Sequence, residues 1–242
     1  MMLEAGFRHL FVGIETDDEE ALTLTRKSQN TRRNILTSIS ILHQKGFIVV
    51  GGFIVGFDTD TIETFDRQID LIQNSGIMLA TVNMLKAPPG TPLFARMEQE
   101  GRLISSFSFK ESETNIVLKM PTRAFYRTFQ KTIEQIYGPE FGIERAKKWL
   151  SEFNHLPNVA TDIPALNTLE YIPVLLRAVY HIGMLYAGRK YFWYLLWWTL
   201  RYHPRLLDWA LIEGIFIYQL HLLMNEHSKT LTEKIAELDS LT

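Results

Sequence analysis

The stretch Ile48-Val49-Val50-Gly51-Gly52-Phe53-Ile54-Val55-Gly56-Phe57-Asp58 decides the fold. Its β-branched residues favour a pleated strand, and its nearly continuous apolarity is that of a strand buried in a parallel sheet. Three glycines interrupt it. Glycine inside a strand marks a bulge or a place where a ligand or another backbone comes close, which makes Gly52 and Gly56 candidate ligand-facing positions. The alternative is that they only relieve crowding where helices pack on the sheet.

Outward from this strand, strands alternate with helices. Upstream, Arg8-His9-Leu10-Phe11-Val12-Gly13-Ile14-Glu15 is a short apolar strand ending in a carboxylate, and Asp17 with Glu20 can form the capping box of a helix behind it. Thr31 is placed to cap a second helix in which Ile35, Ile39 and Leu42 follow helical spacing, with Gly46 at its C-terminal cap. Downstream, residues 60–73 form an amphipathic helix through Ile62, Phe65, Ile69 and Ile72. Leu79-Ala80-Thr81-Val82-Asn83-Met84-Leu85-Lys86 is a third strand, and Ala87-Pro88-Pro89-Gly90-Thr91-Pro92 is a rigid turn into a helix over 92–100. Strands joined by helices pair in parallel through right-handed crossovers. Ligands of such sheets lie at the carboxyl ends of the strands, here Glu15, residues 56–60 and residues 83–91.

Taken in order, Gly13-Ile14-Glu15-Thr16, Gly52-Phe53-Ile54-Val55-Gly56 and Pro88-Pro89-Gly90-Thr91-Pro92-Leu93 resemble the second half of a radical S-adenosylmethionine (SAM) enzyme core, in the branch often preceded by a cobalamin-binding domain. Lys27-Ser28-Gln29-Asn30-Thr31-Arg32-Arg33 and the run from Gly52 through Asp58-Thr59-Asp60 are similar to a subgroup that includes hopanoid-modifying enzymes and carries a helical C-terminal domain of unknown function. The resemblance is good through residue 155 and general beyond it. It implies an α/β fold: a partial (β/α) TIM-like barrel, second half only, over residues 1–105, then an α-helical accessory domain over 106–242. It also implies that Glu15 meets the SAM ribose, that Gly52, Ile54 and Gly56 set a backbone edge and an apolar contact against the adenine, and that Asn83 borders the site. In the intact family a reduced [4Fe–4S] cluster cleaves SAM, and the 5′-deoxyadenosyl radical abstracts hydrogen from an unactivated carbon.

The chain departs from that pattern in having no cysteine. Three thiolates in a Cys-x3-Cys-x2-Cys loop hold the family's cluster, and nothing else here substitutes for them. The expectation is therefore a truncated gene product or a piece of a split enzyme, inactive alone. The cluster and cobalamin would belong to an N-terminal half-enzyme acting as partner, and no residue of this chain is assigned as catalytic.

A formal net charge of −2 over 242 residues argues against a general nucleic-acid surface. Without cysteine there is no disulfide and no zinc-thiolate site. The N-terminus has neither the basic start nor the uninterrupted apolar core of a signal peptide, so a cytoplasmic location is expected.

Helices are expected over 122–137, 141–153 and 166–186, with a further pair flanking His203-Pro204. A polar stretch at 105–113 separates them from the α/β part. Tyr191-Phe192-Trp193-Tyr194-Leu195-Leu196-Trp197-Trp198-Thr199-Leu200, flanked by Arg189-Lys190 and Arg201, has the make-up of a membrane interface but is too short to span. Its all-round apolarity predicts burial in a bundle. Residues 206–224 form a longer apolar stretch, which Asp208, Glu213, Gln219 and His221 interrupt, so no transmembrane helix is expected there. The reading that competes with an enzyme is a non-catalytic interaction module, binding a membrane surface or a protein partner through these aromatic helices. His155, His181, His203, His221 and His227 show no ligand spacing, and Lys27, Arg32 and Arg33 read as a solvated helix start.

Overall fold

The computed structural model describes residues 2–16, 18, 34–104, 113–153 and 172–240. Three parallel strands, β1 (His9–Glu15), β2 (Ile48–Val55) and β3 (Leu79–Met84), stand in the order β1-β2-β3. The barrel expected from the sequence is, among the described residues, this three-stranded parallel sheet. Gly13 lies beside Gly52 and Gly52 beside Thr81, while Ile54 lies beside Asn83.

Helix α1 (Ile35–Gln44) opens at Asn34, whose Oδ1 accepts from the amide of Thr37 at 3.1 Å. Thr31, expected as that cap, lies outside the described residues, as do Asp17, Glu20, Lys27, Arg32 and Arg33. Helix α2 (Ile62–Ser75) opens with Thr64 Oγ1 accepting from Thr61 N and closes at Gly76 in the left-handed conformation. The short α3 (Pro92–Gln99) is capped by Thr91. Helices α4 (Thr122–Ile136) and α5 (Pro139–Glu152) follow. Next come α6 (Ile172–Tyr180), a π-helical turn (His181–Leu185), α7 (Arg189–Tyr202), a 3-10 turn (Pro204–Leu206) and α8 (Leu207–Ser240).

The two faces of the sheet differ. Val49, Phe53 and Val55 of β2, with Ala80, Val82 and Met84 of β3, are buried on one face. Phe125, Phe129 and Ile133 of α4 and Leu231 and Ile235 of α8 join them in a single hydrophobic core. Each such side chain taken out of water contributes about 2 kcal/mol. Residues on either side of position 105 therefore share one core; the linker expected at 105–113 lies, through residue 112, outside the described residues. On the other face Phe11 is 71% exposed and His9 and Asn83 are exposed. Parallel sheets are normally covered on both faces, and among the described residues this face is the less covered of the two.

Polar contacts lock the helices to the sheet. Buried Tyr137, at the end of α4, donates its hydroxyl to the carbonyl of Ala80 in β3. His43 of α1 meets Glu152 of α5 at 3.2 Å, and Lys148 holds the same carboxylate at 2.6 Å. A second core centres on Trp149, which stacks on Phe153 with ring centroids 4.4 Å apart and meets Trp209 edge-on.

One expectation changes in the helical part, that of all-round burial for the aromatic helix. Helix α8 runs past the apolar stretch at 206–224 to Ser240, fastened to α4 by Gln130 with Ser228 and Thr232 and by Arg123 and Arg127 with Asp239. With its 3-10 start (Pro204–Ser240) it is, among the described residues, the one helix long and apolar enough by length and composition to cross a membrane. The aromatic helix α7 is buried on one side only. Phe192, Leu195 and Thr199 face the core, whereas Trp197 is 61% exposed.

Candidate functional site

The carboxyl ends of the three strands form the candidate site. At the end of β1 the register slips between Gly13 and Glu15, and Glu15 carries a φ of 68°, the single positive value among the described non-glycine residues. The amide of Thr16 reaches back to the carbonyl of Ile14 at 3.0 Å, so Glu15 is the centre of a γ-turn. A side-chain-bearing residue in this region costs about 1–3 kcal/mol, and such strain persists where the surroundings over-determine it. Here the surroundings include Gln68 of α2, fully buried, whose Nε2 donates to the carbonyls of Glu15 at 3.2 Å and Ile54 at 2.9 Å.

The next strand end is fixed from below. Gly56 has a φ of 107°, and buried Asp60 accepts through Oδ2 from the amides of Gly56 at 2.6 Å and Phe57 at 3.0 Å. Beyond it, Asp58 is gripped by Arg102 at 2.7 and 3.2 Å and by Arg96 at 3.1 Å, with Lys119 at 3.8 Å. The Arg102 guanidinium, against an opposing effect of burial, holds the Asp58 carboxyl below its usual range. This clamp ties the loop after β2 to the end of α3.

After β3, Asn115 accepts from the amide of Ala87 at 2.8 Å and donates to its carbonyl at 2.7 Å, standing in for a neighbouring strand. Thr114 donates to the carbonyl of Leu85 at 2.5 Å. The loop leading to Pro88 is thus rigid without being part of a sheet.

The expected site residues fall into two groups. Glu15, Ile54 and Asn83 come together as successive strand ends, and Gly52 lies on the less covered face two residues before Ile54. A Cβ added at Gly52 would meet only the Phe11 ring closely, at 2.9 Å. Gly56 departs from the ligand-facing expectation, because the side it leaves free of a side chain points into the core. An added Cβ would meet Leu118, Leu85 and Phe125 at 3.3 to 3.5 Å. Its glycine is required by the positive φ and by that packing. Gly51, on the helix-covered face, makes room for Phe53 and Ile77, while the crowding relief given as the alternative for Gly52 and Gly56 is found at Gly56, against Phe125 of α4.

Sequence reasoning missed Gln68, Asp60, Asn115 and the Arg102 clamp. Gln68 left a signal, since it lies three residues after Phe65 and four before Ile72 on the apolar stripe of α2. A polar residue on such a stripe needs buried partners, and it has them.

Among the described residues no three His, Asp or Glu side chains gather into a metal site. His221 contacts the carbonyl of Tyr137, His227 packs on Phe129, and His155 lies outside the described residues.

Residues 91–233 match the domain of unknown function DUF4070. The chain is 28% identical over 211 residues to an uncharacterised methyltransferase of Synechocystis sp., an alignment that covers 86% of the chain and 39% of that relative. It is 37% identical over 145 residues to the hopanoid C-2 methylase of Rhodopseudomonas palustris, covering 60% and 27%. It is 30% identical over 98 residues to the bacteriochlorophyllide d C-12(1)-methyltransferase of Chlorobaculum tepidum, covering 40% and 22%. The chain therefore spans less than two fifths of the length of these relatives. No solved structure matches.

Proposed function

Because the chain belongs to the DUF4070 family, the C-terminal domain of B12-binding radical SAM enzymes, we propose that its sheet rim supplies SAM and substrate contacts to an enzyme that transfers a methyl group to carbon. The observation that carries this reading is the strained γ-turn at Glu15, at the mouth of a parallel sheet that exposes Phe11 and Asn83 among the described residues. Strain of this kind concentrates at ligand-binding positions.

The residues fit the adenosyl part of SAM. The Glu15 carboxylate can accept from both ribose hydroxyls, Ile54 gives apolar contact to a base, and the exposed Asn83 amide carries both a donor and acceptors. Gly52, lacking a side chain, lets the Phe11 ring lie across the sheet beside them. Gln68, Asp60 and the Asp58 clamp act as positioning residues that hold these ends in place.

The residues do not fit an iron–sulfur cluster, for there is no thiolate in the chain, and no described cluster fits a metal. The part of this chain is binding and orientation. The cysteine-bearing N-terminal half of the enzyme would add strands beyond the β1 and β3 edges and close a barrel, and the chain alone would be inactive.

Coexpression with the N-terminal region of a methylase relative, followed by anaerobic reconstitution, tests this reading. Copurification of the two parts and formation of 5′-deoxyadenosine or S-adenosylhomocysteine from SAM are expected. A reconstituted N-terminal region that turns over SAM equally well without this chain would overturn it.

A further inference from the structure

We propose that the exposed side of α7, with the π-turn before it and the start of α8, docks on the surface of an anionic phospholipid bilayer. Trp193, Trp197 and Leu200 follow helical spacing along one side of α7 and are 47%, 61% and 58% exposed. The π-turn extends this surface with Met184 and Leu185, both exposed. It is fixed there by Trp193 Nε1 donating to the Gly183 carbonyl at 2.8 Å, with no room for a Cβ at Gly183. Between α7 and Leu207 and Leu211 of α8 lies an apolar cleft of about 470 Å³. Contiguous exposed apolar surface of this extent marks an interaction site.

The charges decide what covers it. Residues 172–211 carry five cations, Arg177, Arg189, Lys190, Arg201 and Arg205, against one carboxylate, Asp208, in a chain whose net charge is −2. All five are exposed. Arg189 and Lys190 lie one turn before Trp193, and Arg201 one turn after Trp197, so cations flank the aromatic strip at both ends. Indole rings between an apolar strip and a cationic border match the boundary between acyl chains and phosphate headgroups. At fourteen residues α7 is about 21 Å long, shorter than a hydrocarbon core, and would lie in the plane of the surface. This docking is independent of the strand-end chemistry.

Flotation of the full chain with vesicles of phosphatidylcholine alone, or mixed with phosphatidylglycerol, is the test. Binding to mixed vesicles at least tenfold tighter than to phosphatidylcholine alone, weakening with added salt, is expected. A blue shift of tryptophan emission and shielding from aqueous quenchers should accompany it. The variants W197S/L200S and R201E alter exposed side chains that hold no helix in place, and each should weaken binding at least tenfold while the circular dichroism stays unchanged. Failure of the folded chain to float, or equal binding by all variants, would overturn the proposal. So would an oligomer whose indoles are shielded before vesicles are added and which W197S/L200S dissociates, because the occupant would then be protein.

Discussion

The side-chain amide of Gln68 donates to the main-chain carbonyl of Ile54 at 2.9 Å, from a position wholly inside the protein. The same nitrogen reaches the carbonyl of Glu15, so one residue of α2 fixes the ends of β1 and β2 relative to each other. Gln68→Ala leaves both carbonyls without this donor and should cost about 1–3 kcal/mol. Urea denaturation measures it; an unchanged midpoint would show that the two strand ends are held by other means.

Glu15 holds a left-handed backbone that glycine adopts freely. Glu15→Gly should therefore stabilise the chain, by about 1 kcal/mol, while deleting the carboxylate proposed to meet the ribose. A thermal melt reads the first effect. A clear loss of stability would mean that the carboxylate holds the fold rather than serving a ligand.

Gly52 and Gly56 should respond differently to alanine. At Gly52 the new methyl meets the end of an exposed phenyl ring that can swing aside, so stability should change by less than about 0.5 kcal/mol. At Gly56 it meets the core at a φ that L-residues rarely adopt, and a loss of about 1–3 kcal/mol is expected. Equal losses at both positions would contradict the assignment of one to the less covered face and the other to the core.

The parallel sheet was legible because β1, β2 and β3 are near-continuous apolar runs bounded by turn residues. Strand order alone points to Glu15, residues 56–60 and residues 83–91 as strand ends, whereas Ile54 enters only through the family resemblance. Gly56 was harder. A glycine gives no sign of which way its absent side chain faces, although Val49, Phe53 and Val55 mark the buried face by alternation. The supports of the rim depend on tertiary contacts: Asp60 reads as a helix start, and Asn115 pairs with Ala87 across 28 positions. In α7 the apolar count concealed a sidedness that Arg189, Lys190 and Arg201 betray.

Burial pushes the Glu213 carboxyl up to about 8 from the usual 4.5, and its Oε2 has no hydrogen-bond partner among the described residues. The folded state therefore keeps a proton that the unfolded state releases above pH 4.5. Its contribution to stability is full below pH 4.5 and is lost as pH rises through about 8, with a slope of up to about 1.4 kcal/mol per pH unit. Glu213→Gln should flatten this loss, as urea midpoints across the interval will show. A wild-type slope that persists in the variant would place the titrating group elsewhere.

Titration of SAM into the complex of this chain with a relative's cysteine-bearing N-terminal region tests most directly whether the strand ends bind SAM. Glu15→Ala should weaken binding about tenfold to a hundredfold, the equivalent of losing charge-assisted hydrogen bonds to the ribose. Gly52→Val should weaken it by displacing the Phe11 ring that lies over Gly52, while both variants still copurify with the N-terminal region. Affinities indistinguishable from the wild type in both variants would contradict binding at the strand ends.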